Sequence, residues 1–359
     1  MQDDYFSLMQ VIAPDLAREI EKRAFVLERI GALQPVGRRQ LAMKLHMPER
    51  EIRTVATLLK DHGLITLDAA GMSLTEKAAG ALPLARSFSR ELRGLTDMEI
   101  RLSRFLQVEN VLVVPGNVDT DEQVLGEVGK SAAQHSRSFL SNGCTLAVTG
   151  GATTYEVARS IVPNGSMNVM VVPARGGFGR TLENEANTVA SEIAKRLGGH
   201  LRLMYVPDQL NGDTLQEMRK LREVDETLAL LERADVVLHS IGRMDEMVQK
   251  RHLSKDIENR LIRKEAVGEA FGCYFNIEGK TVYDASMVSH DIGKLKPSCA
   301  FIAVAAGAKK AAAIIGAMRN HTHAMLITDE GAADEILRME KTIACTPEKA
   351  LQYIPTTLD

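Results

Sequence analysis

No two of the four cysteines stand close in the chain: Cys144, Cys273, Cys299 and Cys345 form no C-x-x-C pair and have no histidine at zinc-ligand spacing. That pattern excludes a cysteine zinc site and a disulfide framework, and implies reduced, mostly buried thiols in a cytoplasmic protein without a metal. No apolar run reaches the ~18 residues of a membrane span. The N-terminal stretch MQDDYFSLMQ is acidic where a secretory signal would be basic, so no membrane partner is expected. Charge of one sign is lacking too: 44 Lys and Arg stand against 47 Asp and Glu, a formal net charge of −3. The chain as a whole therefore has no attraction for a polyanion, and any nucleic-acid contact must rest on a local basic surface.

At ~100 to 200 residues per domain, a chain of 359 residues holds two or three. The texture changes near residue 105. After it come short apolar runs, NVLVVPG, TLAVTGG, NVMVVPARGG, LRLMYVP, DVVLHSIG, CAFIAVAAG and HAMLITDEG, each ending in Gly, Pro, Asp or Ser. Such runs read as parallel strands buried on both faces. Amphipathic segments at 182–198 and 213–233 lie between them, which predicts a doubly wound α/β sheet with ligands at the carboxyl ends of its strands. The expected division is a helical N-terminal domain over 1–80, a helical linker over 81–104 and an α/β domain over 105–345.

The N-terminal part predicts a winged helix-turn-helix. Helical spacing runs through 15–33, 37–47 and 48–63, the last with Pro48 in its first turn and Gly63 as its stop, and LITLDAAGMSLT reads as a hairpin. Residues 37–60 hold six Lys or Arg against Glu49 and Glu51, a local +4 in a negative chain. Arg50, Arg53 and Thr54 fall near the start of the third helix, where recognition-helix side chains reach base edges, and Arg38 and Arg39 are placed for phosphates. A solvated helical hairpin with ordinary surface arginines is the competing reading. The segment 74–104 is helical around Pro83 and Gly94; pairing two chains for a symmetric operator, or packing on its own domain, both fit.

The stretch LAVTGGATTYEVA at 146–158 joins an apolar run to a helical pattern. A Walker loop needs a lysine after the glycines and a dinucleotide fingerprint needs a third glycine; both are missing. What remains is a turn of Thr149, Gly150, Gly151 and Ala152 before Thr153 and Thr154. It reads either as a phosphate cradle of helix-start amides and hydroxyls or as a plain turn with a threonine N-cap. Other strand ends add cations: Arg175 with Gly176 and Gly177, Lys250 and Arg251, and Gly307 with Lys309 and Lys310; Glu269 adds a carboxylate able to accept from sugar hydroxyls. Separated cations with one acid fit a sugar carrying two phosphates, although each alone also reads as an ordinary loop residue.

TGGATTYEVA, VPARGG, EAFGCYFNIEG, IAVAAGAKKAAAI and ITDEGAA, in this order after a winged helix, resemble the SorC sugar-binding family of bacterial transcription regulators. The likeness covers nearly the whole chain, including GRRQLA and MSLTEK in the N-terminal part. It implies an effector domain folded like glucosamine-6-phosphate deaminase and ribose-5-phosphate isomerase. It also implies fructose-1,6-bisphosphate as effector, no cofactor, and repression of the operon for the triose-phosphate part of glycolysis. Carried over residue by residue, one phosphate would lie at Gly150, Gly151, Ala152, Thr153 and Thr154 with Lys310. The other would lie near Arg175 and Lys250, with Glu269 toward the sugar. Three positions depart from the family pattern: Ala152 where threonine is usual, Lys250 where arginine is expected, and Ala306 where a second glycine is common.

Two functions of different class follow. One is a non-enzymatic repressor, a homodimer or homotetramer, that binds double-stranded operator DNA under control of a phosphorylated sugar. The other is a sugar-phosphate isomerase or deaminase with an accessory DNA-binding domain. An enzyme needs a base over the sugar carbonyl or C2, and Glu269 and Asp329 are the obvious candidates.

Overall fold

The computed structural model describes residues 11–345 apart from 46, 164, 178–183, 208–211 and 285–294. The chain divides into two compact units, Met1–Asp97 and Met98–Asp359. In the first, helices α1 (Pro14–Leu33), α2 (Arg38–Leu45) and α3 (Glu49–Asp61) precede an antiparallel hairpin of β1 (Ile65–Leu67) and β2 (Met72–Leu74). Helix α3 starts one residue later than expected, because Pro48 is its N-cap. Gly63, with φ of +68°, turns the chain out of it into the wing. Val26, Leu27, Ile30, Leu41, Ile52, Val55, Leu59, Ile65 and Met72 share one buried core, so the apolar face of each element meets the others. Arg38, Arg39, Arg50, Arg53 and Thr54 remain exposed.

The expected connector forms α4 (Glu76–Leu92) and α5 (Leu95–Leu106). Thr75 caps α4 by accepting from the Ala78 amide, and Arg86 reaches Glu28 on α1 at 3.4 Å. This helix therefore packs on its own unit.

The second unit adds β3 (Asn110–Val114), α6 (Gln123–Ser136), β4 (Thr145–Val148), α7 (Ala152–Ser160), β5 (Met170–Pro173), α8 (Ala186–Leu197) and β6 (His200–Leu201). Then follow α9 (Gly212–Met218), α10 (Arg222–Glu232), β7 (Val236–Ser240), β8 (Gly242–Arg243), α11 (Met244–Lys250), α12 (Lys255–Arg263) and β9 (Ala266–Ala270). β10 (Cys273–Asn276), β11 (Thr281–Asp284), β12 (Ala300–Val304), α13 (Ala311–Asn320), β13 (Met325–Asp329) and α14 (Glu330–Cys345) complete it.

Seven of these strands form a parallel sheet in the order β3-β13-β12-β7-β4-β5-β6. Valine, isoleucine and leucine from its strands pack with the flanking helices in one buried cluster, as strands covered on both faces require. The run LRLMYVP yields only the short edge strand β6; beyond it the Met204 backbone bonds both ways to the Asn187 side chain. A second, antiparallel sheet of order β11-β10-β9-β8 was not anticipated. Its strands come from the stretch around Glu269 that sequence reasoning treated only as a source of ligands. The chain leaves β4 toward β5 but leaves β7 toward β12, so the strand order reverses between β4 and β7. A crevice outside the carboxyl ends at such a reversal is where doubly wound sheets bind ligands.

Candidate functional site

The turn after β4 is fastened to the end of β7. Thr149 donates its amide to the Leu238 carbonyl at 3.1 Å, and the Ser240 amide donates to Thr149 Oγ1 at 3.1 Å. The Ser240 hydroxyl donates to the Gly150 carbonyl at 3.1 Å. Ser240, which sequence reasoning passed over, is thus what sets the turn; a serine closing a buried strand was its only signal. A Cβ on Gly150 would lie 2.3 Å from the Asn184 carbonyl oxygen, and one on Gly151, whose φ is +132°, would lie 2.6 Å from Ser240 Oγ. Both positions exclude a side chain.

Gly151 is itself the N-cap of α7, so the threonine cap does not form. Its amide donates to the Asn184 carbonyl at 2.9 Å and is not offered to a ligand. That leaves the first-turn amides of Ala152, Thr153 and Thr154, which have no acceptor within their own helix, at its positive end. Thr153 and Thr154 are buried, and Thr154 Oγ1 donates back to the Gly151 carbonyl at 3.0 Å.

Beside this turn the structure builds a buried charge cluster. Arg175 Nη1, just past β5, donates to Glu269 Oε1 at 3.0 Å, and Arg251 Nη2 lies 2.8 Å from the same oxygen. The Gly272 amide donates to it as well. The side chains of Arg175, Glu269 and Arg251 are 8%, 4% and 1% exposed. Burial works to raise the Glu269 pKa, yet Arg251, Arg175 and the Gly272 amide outweigh it and hold the carboxyl below its usual range. Two guanidiniums thus converge on one carboxylate. Tyr274 pairs with Glu269 across β9 and β10, and its buried hydroxyl has no hydrogen-bond partner among the described residues. Burial raises its pKa, so it stays a proton donor. Nothing in the local sequence marked it.

Lys250 is not in this cluster. Its side chain is 68% exposed, its ammonium is 3.9 Å from Glu246, and it acts electrostatically on Lys310. Burial lowers the Lys310 pKa, while Glu246, Asp119 and Asp329 pull it upward. The arrangement carried over from the family grouped Arg175 with Lys250; here Arg175 meets Arg251, and Lys250 lies toward Lys310. Gly176 is buried beside Arg175, while Gly177 donates its amide to the Val206 carbonyl at 2.9 Å.

Asp329 closes β13 and organises the neighbouring loops. It is fully buried and accepts amides from Val118 at 2.8 Å, Gly307 at 2.8 Å and Ala332 at 3.1 Å. A carboxylate engaged by three amides is an anchor rather than a base poised over a substrate. Glu269, the other candidate base, is committed to its two arginines. Among the described residues no cluster of His, Cys, Asp and Glu could hold a metal. No described helix is long and apolar enough to cross a membrane. Cys144 is buried, and Cys273 and Cys299 are half-buried rather than buried.

On the DNA-binding unit, Arg53 Nη2 donates to Glu49 Oε1 at 3.1 Å, and Arg39 Nε lies 3.5 Å from Glu49 Oε2. Thr54 Oγ1 donates to the Arg50 carbonyl at 3.0 Å, which leaves its oxygen to accept. Lys22 of α1 pairs with Glu51 at 2.9 Å. Both acids of the basic segment are therefore engaged by cations.

Known proteins match both units. The family described as "Putative sugar-binding domain" matches residues 90–338, and the family described as "CggR N-terminal DNA binding domain" matches residues 20–83. The central glycolytic genes regulator of Priestia megaterium is 35% identical over 337 residues, 92% of this chain and 98% of that protein. The Bacillus subtilis protein of the same name is 33% identical over 330 residues, 92% of this chain and 97% of its own. Among solved structures, a "putative SorC family transcriptional regulator" from Enterococcus faecalis is 35% identical, with a TM-score of 0.63, over 67% of this chain and 99% of that one. The full-length sorbitol operon regulator of Klebsiella pneumoniae shares the fold over 90% of this chain and 99% of its own, with a TM-score of 0.62 at 19% identity. With a DNA-binding unit, a sugar-binding unit and these relatives, the chain belongs to the SorC family of sugar-binding transcription regulators, in the group of the central glycolytic genes regulators.

Proposed function

We propose that this protein is a cytoplasmic, oligomeric repressor of glycolytic genes, without enzymatic activity, whose grip on operator DNA is modulated by fructose-1,6-bisphosphate. The observation that carries the reading is the buried Arg175, Glu269 and Arg251 cluster near the β4 and β7 crevice. A planar guanidinium matches phosphate oxygens in pairs, and two of them meet here on one carboxylate. One phosphate rests on the first-turn amides of α7 with Lys310. The other rests on Arg175 with help from Arg251, which keeps the sugar between two separated cationic positions. The engagement of both candidate bases, Glu269 and Asp329, supports a sensor over a catalyst.

The test titrates phosphorylated sugars against the thermal stability of the full chain and analyses each mixture for products. At 100 times its dissociation constant an effector adds ~2.7 kcal/mol to unfolding, and fructose-1,6-bisphosphate is expected to give the largest gain with no turnover. A set of sugars of which none stabilises the protein, or any conversion of one, would overturn the reading.

A further inference from the structure

The basic face of the winged helix contains a residue that works against DNA in general. Glu49 is the first residue of α3, at the end from which a recognition helix contacts base edges. Its two carboxylate oxygens are divided between two helices: Oε1 takes Arg53 of α3 at 3.1 Å and Oε2 lies 3.5 Å from Arg39 of α2. Arg39 and Arg53 are 89% and 59% exposed, so this bridge stands in solvent where a duplex would lie. An exposed pair of this kind contributes little to folding. Glu51, the other acid of the segment, faces Lys22 of α1, so Glu49 is the acid held between Arg39 and Arg53, two of the four arginines assigned to DNA.

A phosphate backbone approaching Arg39 and Arg53 meets the Glu49 charge and must compete with it for both guanidiniums. Repulsion of that kind weakens binding to every duplex alike. It is offset only where the duplex presents a donor to the carboxylate, and in the major groove the N4 amino group of cytosine is the donor that Glu accepts from. Arg53, one helical turn away, is matched by guanine O6 and N7. Resting on the DNA-binding reading above, we propose that Glu49 determines the specificity of the interface. Its carboxylate excludes generic duplex by holding Arg39 and Arg53, and accepts from a cytosine of the operator.

The experiment selects duplexes from a randomised library with the full chain and with Glu49→Gln, and measures the affinity of each protein for the selected and the random pool. Glutamine keeps the shape and helix preference of the side chain and removes its charge; equal circular dichroism and melting temperature of the two proteins check the fold. Glu49→Gln is expected to bind random duplex about three- to tenfold more tightly, since a factor of ten corresponds to about 1.4 kcal/mol. A cytosine position of the wild-type consensus should relax or change to adenine, the base glutamine pairs with. The ratio of selected to random affinity should fall about five- to fiftyfold. An unchanged consensus with an unchanged ratio would overturn the role of Glu49 and leave the DNA-binding reading standing. Failure of the wild-type chain to enrich any duplex would overturn both.

Discussion

Replacing Arg175 by alanine removes one of the two guanidiniums that meet at Glu269 Oε1. Arg251 stays 2.8 Å from that oxygen and Gly272 still donates to it, so the carboxylate is not left as an uncompensated buried charge. The fold should therefore lose the worth of one charged hydrogen bond, ~1.5 to 3 kcal/mol. It should not lose the ~3 to 5 kcal/mol that follows when a buried ion is stranded. The same magnitude at the second phosphate weakens fructose-1,6-bisphosphate by ~10- to 150-fold. Fructose-6-phosphate has no second phosphate and should change little. Calorimetric titration of both sugars against wild type and Arg175→Ala supplies the four affinities, and denaturant unfolding supplies the stability. Equal losses for the two sugars would assign Arg175 to the shared phosphate or to the fold alone, and the site with two phosphate ends would be wrong.

Gly151→Val places a Cβ 2.6 Å from Ser240 Oγ at a φ of +132°, so it should abolish the response to fructose-1,6-bisphosphate in a thermal-shift titration. DNA binding by the first unit should survive the same change, and a variant that still responds to the sugar would make the turn purely structural. Asp329→Ala strands three amides, those of Val118, Gly307 and Ala332. The last two are buried, and at ~1 to 3 kcal/mol for each unsatisfied buried group the change should lower stability by at least ~2 kcal/mol in urea unfolding; a loss below ~1 kcal/mol would contradict the anchor role. Burial pushes His323 down to about 4, and its Nε2 lies 3.0 Å from that of the buried His239. A folded-state value below the unfolded ~6.5 means that the unfolded chain binds the extra proton first. This contribution is fully present above pH ~6.5 and is lost as pH falls toward 4, about 3 kcal/mol in all. Urea unfolding across that window should lose this slope in His323→Gln, and an identical slope in both proteins would refute the assignment.

Local pattern carried the elements and the site candidates a long way. Continuous apolar runs placed β3, β4, β5, β7, β12 and β13, and helical spacing with Gly63 as a stop placed α1 to α3, because each depends on residues a few positions apart. The glycines at 150 and 151 were legible for the same reason: a tight turn needs them wherever the fold puts it. The antiparallel sheet was missed because AVGEAFGCYFN offers short segments that pair with each other rather than with the main sheet.

Partnership between distant segments was decided by the tertiary structure. Arg175 and Glu269 are 94 residues apart, and the Ser240 bonds that set the Gly150 turn span 90 and 91. None of these pairs leaves a periodic trace, since a strand's pattern records that it is buried and not which neighbour it buries against. Adjacent residues Lys250 and Arg251 look interchangeable as cations in the sequence. Lys250 ends α11 and Arg251 lies just beyond it, so the chain turns one side chain into solvent and the other into the core against Glu269. The strand order β12-β7-β4-β5 brings these ends together, and that order is fixed by how the whole sheet buries its faces at once.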